Sequence, residues 1–118
     1  MNRVPLRAEG LSDDTVDGLS RKHKRRVLTY LRAGRLVVAS RMTVPDRYDG
    51  GAPPIGVSFR TDGAWVWSEE TIAYLERHDH RVPHDLEQRA RQWSGAPLQV
   101  SDDSVAEAAE LLRSPGSA

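Results

Sequence analysis

Three histidines stand close together in His78-Asp79-His80-Arg81-Val82-Pro83-His84, with Asp85 directly after them. A His-x-His pair with a third histidine or a carboxylate is a donor set that can hold zinc when the imidazoles converge. His78 and His80, however, fall at an expected helix end, where side chains two residues apart point in different directions. The dipole at a helix C-terminus favours histidines there without any metal. A second group is the basic run Arg21-Lys22-His23-Lys24-Arg25-Arg26. Its chemistry is attraction of anionic groups, either acidic side chains of a protein or nucleic-acid phosphates. The third group is the segment Ser58 to Ser68, SFRTDGAWVWS, with two of the three tryptophans and the single phenylalanine. Its rings form either a recognition platform or a core.

Other chemistry has no footing in the residues. There is no cysteine, so thiolate metal sites and disulfides are excluded. Neither a G-x-S-x-G elbow nor a phosphate-binding loop occurs, since Asp49-Gly50-Gly51 lacks both the preceding strand and the following lysine. The expectation is a protein that is not an enzyme and carries no cofactor.

The formal net charge is zero, which removes any general pull toward DNA or anionic lipid. Its distribution is uneven. No acidic residue lies between Asp17 and Asp46, a window that holds Arg21, Lys22, Lys24, Arg25, Arg26, Arg32, Arg35 and Arg41. The C-terminal part is acidic, with Asp102, Asp103, Glu107 and Glu110. The first residues, MNRVPLRAEG, have no apolar run of signal-peptide type, and nothing approaches a membrane span. The chain therefore reads as cytoplasmic, with no membrane partner.

Local patterns supply the elements that must position these groups. Residues 1–19 carry few large apolar groups and read as a flexible N-terminal segment; 20–113 read as a single α+β domain and 114–118 as a disordered tail. Ser20 is an N-cap for a helix over about 21–33, with Val27, Leu28 and Leu31 inward and Gly34 as its stop. Lys22, Arg25, Arg26, Thr29 and Arg32 then form a stripe on the opposite side. Leu36 to Ser40 reads as a strand, 43–54 as a loop, and Ile55 to Thr61 with Ala64 to Ser68 as a hairpin. Ser68 precedes a helix reaching His78, Pro83 opens a short helix with Leu86, Ala90 and Trp93, Leu98 to Val100 forms an edge strand, and Ser101 opens a final helix. The fold class is α+β: a small antiparallel sheet of a strand plus a β-hairpin, packed against three to four helices.

The hairpin register decides what the tryptophans do. A two-residue loop at Asp62-Gly63 sets Arg60 opposite Trp65 and exposes both indoles beside a cation. A three-residue loop, Thr61-Asp62-Gly63, puts Phe59 against Trp65 and Val57 against Trp67, gathering the rings on one side. The second separates apolar from polar more cleanly and is the expectation, with Arg60 left exposed.

The stretch SFRTDGAWVW, with Tyr74-Leu75 and the Pro83 helix after it, resembles a group of small, largely uncharacterised actinobacterial proteins sharing a TDGxWxW hairpin. By analogy of size and style, such proteins are similar to the immunity proteins that accompany bacterial toxins. That resemblance implies a small protein-binding module whose partner is a protein, such as an acidic toxin domain, and it supplies no catalytic residue. The residues expected to meet the partner are Lys22, Arg25, Arg26, Arg32 and Arg60. The alternative is a nucleic-acid-binding regulator using the basic face of the helix 21–33.

Overall fold

The computed structural model describes residues 1–4 and 20–113, and the fold is α+β. The order is β1 (Asn2–Arg3), α1 (Arg21–Arg32), β2 (Arg35–Val38), β3 (Thr43–Val44), β4 (Ile55–Gly56), β5 (Phe59–Thr61), β6 (Trp65–Ser68), α2 (Glu69–His78), α3 (His84–Gln92) and α4 (Asp102–Arg113). One sheet runs β1-β6-β5-β2 and a second, two-stranded sheet pairs β3 with β4.

The main sheet is mixed rather than antiparallel, because β1 joins β6 in parallel. That strand corrects the reading of 1–19 as flexible from its first residue: the Val4 amide donates to the Val66 carbonyl, and Val4 is buried. The rest of that segment, 5–19, and the expected tail 114–118 lie outside the described residues. Two further corrections concern short elements. Thr43–Val44, expected as loop, pairs with Ile55–Gly56, and Leu98 to Val100 forms no strand.

Neither expected hairpin register occurs. Arg60 faces Trp67 and Thr61 faces Val66, so the strands close at Asp62 and Trp65 around Gly63-Ala64. The reason is the Asp62 side chain. Its Oδ1 accepts the amides of Ala64 at 2.8 Å and Trp65 at 2.7 Å, a side-chain turn that substitutes for the backbone loop geometries. Gly63 adopts φ +100°, a conformation that costs glycine little.

In this register Trp65, Trp67 and Arg60 share one face of the sheet, and that face is the core. Trp67 is fully buried among Val4, Leu28, Leu31, Leu75 and Leu86, and its indole N–H donates to the Leu31 carbonyl. The opposite face is covered as well. Arg35, opposite Thr61, bonds Asp102 and the Val100 carbonyl, so α4 lies on that side over the buried Thr61 and Val66. The sheet thus sits between α4 and the α1–α3 layer, which explains why both faces of β6 are dry.

α1 begins as the sequence indicates, with Ser20 Oγ accepting the His23 amide. Its end has a different cause. Gly34 is not in a left-handed conformation; a Cβ there would stand 2.7 Å from Trp67 Cζ2 and 3.2 Å from the Thr61 carbonyl. The position needs glycine for close packing of the α1–β2 corner over the buried indole, not for a turn. α1 packs on α2 and α3 and buries Val27, Leu28, Tyr30 and Leu31. Lys24 ties it to the end of α2 by bonding Asp79 and the Glu76 carbonyl.

Candidate functional site

The cations expected to meet a partner divide into two groups. Arg32 is paired with Glu76 of α2 at 2.5 Å. Arg60 is the larger departure from expectation: its Nη1 donates to the Gly34 carbonyl at 2.9 Å and its Nε to Glu69 at 3.0 Å. It is therefore not the hairpin's exposed cation. It shares the core face with Trp67 and fastens the end of α1 to the start of α2, and the register change accounts for this.

Lys22, Arg25 and Arg26 are the second group. Among the described residues no carboxylate pairs with any of them, although Lys24 and Arg32 on the same helix are both held by α2. Lys22 and Arg26 are four residues apart, an arrangement of like charge that weakens an isolated helix. The first turn of α1 also contains no acidic residue to balance its dipole.

Where α1 meets α3, Lys22 and Arg26 border a cleft of about 470 Å³ whose other lining residues are His23, Gln88, Arg91 and Gln92. Gln88, Arg91 and Gln92 fall at i, i+3 and i+4, one face of α3, while Leu86 and Ala90 point into the core. Arg26 lies over the Trp93 ring, 5.9 Å from its centroid, and Trp93 packs edge-on against Tyr30. The aromatic pair ties Arg26, on the α1 side of the cleft, to the core. Reading α1 by itself finds Lys22 and Arg26 but misses Arg91 and the two glutamines. The available signal is the polar i, i+3, i+4 spacing on the Pro83 helix, which becomes a site only once α3 is known to lie beside the first turn of α1.

The histidines do not converge. His78 turns its Nε2 to Asp46, 2.9 Å from Oδ2, His80 stacks on Tyr48 at 4.9 Å, and His84 is exposed at the start of α3. Among the described residues no group of three or more histidine, cysteine, aspartate or glutamate side chains could hold a metal. Asp46 is instead an anchor for the loop that follows it. Its buried carboxylate accepts the amides of Tyr48 and Asp49, the Arg77 guanidinium and the His78 ring. Burial opposes the charge, but the bonds from His78, the Tyr48 amide and Arg77 outweigh it and lower the pKa to about 2.

A depressed folded-state pKa means that the ionised form contributes stability above the ordinary value, 3.8, and that this is lost as pH falls toward about 2. Asp46→Asn keeps the shape but sets an amide group against Arg77 and His78. It is expected to cost about 1–3 kcal/mol near neutral pH. The deficit should close as the wild type is acidified through its own carboxyl pKa, and chemical denaturation across that range measures it.

A third polar centre joins the hairpin to the helices. Asp62 Oδ2 accepts from the Tyr30 hydroxyl at 2.5 Å and from Arg89 Nε at 3.0 Å, while Oδ1 holds the turn. Burial, with Asp62 beside it, raises the Tyr30 pKa to about 12, so the phenol remains a donor under all ordinary conditions. Asp46 and Asp62 both spend their oxygens on bonds that hold the fold. Among the described residues, no side-chain hydrogen bond or ion pair holds the side chains that line the α1–α3 cleft.

No protein-family model, curated protein or solved structure matches this chain. Among the described residues no helix is long and apolar enough to cross a membrane.

Proposed function

We propose that this protein is a non-enzymatic binding module of the cytoplasm that docks an acidic protein partner on the solvent face of α1. The observation that carries the reading is the set Lys22, Arg25 and Arg26, which have no carboxylate partner among the described residues, while Lys24 and Arg32 beside them are paired. Grouped like charges raise the free energy of the protein alone, and an anionic surface laid over them relieves that repulsion. Such a surface also speeds encounter with an oppositely charged partner. The resemblance to immunity proteins makes a toxin domain encoded by the adjacent gene the first partner to try. A protein partner is favoured over nucleic acid by the zero net charge of the chain and by the acidic C-terminal helix, which repels a long polyanion.

The test is co-purification of the full chain with the adjacent gene's product, beside a titration with a single-stranded oligonucleotide. A salt-sensitive complex with the neighbour, and none with the oligonucleotide, is the expected result. Tight oligonucleotide binding with no protein complex would replace this reading by that of a nucleic-acid-binding regulator.

A further inference from the structure

We propose that the cleft between α1 and α3 is a binding site for a phosphate monoester carried by a small organic molecule. Three cations, Lys22, Arg26 and Arg91, border one concavity of about 470 Å³ with no carboxylate among the described residues that line it. That size lies within the range of roughly 300–1,000 Å³ usual for small-ligand clefts. The charge identifies the ligand class. A single carboxylate brings one negative charge and two oxygens, whereas a phosphate monoester near neutral pH brings about −1.5 to −2 and three acceptor oxygens. Only the second comes near to balancing three cations.

Donor geometry argues in the same direction. Arg26 approaches from α1 and Arg91 from α3, each with a planar guanidinium that can offer paired N–H groups to two oxygens of one phosphate, and Lys22 adds a third, movable donor. Gln88 and Gln92 each contribute a neutral donor and an acceptor, which suits the hydroxyl-bearing body of an ester rather than a bare ion. The first turn of α1 opens on the cleft through Lys22 and His23, so its dipole adds to the attraction. Trp93, under Arg26, supplies a reporter, because a ligand that draws the guanidinium away from the ring changes indole emission.

The site does not require the acidic-partner reading. A phosphate ester bound with no protein captured leaves this inference standing and removes the other, and the reverse outcome does the opposite.

The experiment titrates the full chain with inorganic phosphate, a 5′-mononucleotide, a phosphoserine peptide and acetate, followed by Trp93 emission and by calorimetry. Trp93→Phe separates the reporter from the two hairpin indoles. Saturable binding of the mononucleotide to one site per chain is expected, weakened about tenfold or more by Arg91→Gln, with acetate inert. Lys22→Gln, at an exposed side chain, should weaken it in the same direction and guards against a folding defect in either variant. Acetate competing as well as phosphate, absence of saturation, or an Arg91→Gln variant that binds normally would overturn the site. Binding of the phosphoserine peptide alone would overturn the small-molecule source.

Discussion

Asp62→Ala is expected to destabilise the protein by about 3–5 kcal/mol, because it removes a buried carboxylate that accepts several hydrogen bonds, each worth about 1.5–3 kcal/mol when one partner is charged. Domains of this kind are held by only about 5–15 kcal/mol, so the variant should be largely unfolded on mild heating. The size follows from what the carboxylate holds. Oδ1 satisfies the Ala64 and Trp65 amides and so fixes the register that sends Trp67 into the core, while Oδ2 binds the buried Tyr30 hydroxyl and Arg89. Alanine leaves two turn amides and a phenol without acceptors in one stroke. Asp62→Asn retains an acceptor for the turn and loses the charge facing Arg89, so an intermediate loss is expected. Urea unfolding of the three proteins provides the order, and equal losses for alanine and asparagine would show that the turn bonds are not the dominant contribution.

Lys22→Glu with Arg26→Glu is expected to abolish capture of an acidic partner while leaving stability within about 0.5 kcal/mol of wild type, as is usual for surface substitutions. Lys22 faces solvent and Arg26 gives up only its placement over Trp93. The replacements turn two attractive contacts into repulsive ones, and like charges opposed across an interface cost several kcal/mol, a loss of about a hundredfold or more in affinity. Arg32→Glu is the matched control. It breaks an exposed pair with Glu76, worth at most about 1 kcal/mol, and lies a full turn and a half from Arg26, so binding should fall far less. A partner that binds both variants alike would remove the α1 face from the account.

Much of the architecture can be read along the chain because the signals are local. Ser20 caps α1, and Val27, Leu28 and Leu31 face inward as their spacing indicates. Ser68 with Glu69 and Glu70 opens α2. What escapes local reading depends on contacts between distant segments. The two hairpin registers that turn chemistry suggests both assume that backbone geometry closes the loop, whereas the Asp62 side chain closes it while Tyr30 and Arg89, 32 and 27 residues away, hold its other oxygen. Arg60 reads as exposed from its alternation with Phe59, and becomes partly buried because α1 and α2 cover the face it shares with Trp67. β1 is two residues long, and its pairing partner is more than sixty positions further on.

The candidate site divides in the same way. Lys22, Arg25 and Arg26 are legible as an acid-free run, but that Lys24 and Arg32 are paired is settled by Glu76 of α2 and by Asp79 just past its end. Arg91 joins them only through the packing of α3 against α1. The histidine motif shows the converse. Its spacing suggests a metal, yet His78 is drawn to Asp46 and His80 to the Tyr48 ring, partners that no pattern within the motif contains.

The most direct test of the central claim is a titration of the isotopically labelled full chain with an acidic polypeptide, poly-L-glutamate, read from backbone amide shifts beside an oligonucleotide of equal charge. Shifts concentrated at Lys22, Arg25, Arg26 and Arg91 are expected, with a tighter complex for the polypeptide than for the oligonucleotide and weakening as salt is raised. Shifts spread without preference over the surface, or a complex that favours the oligonucleotide, would contradict it.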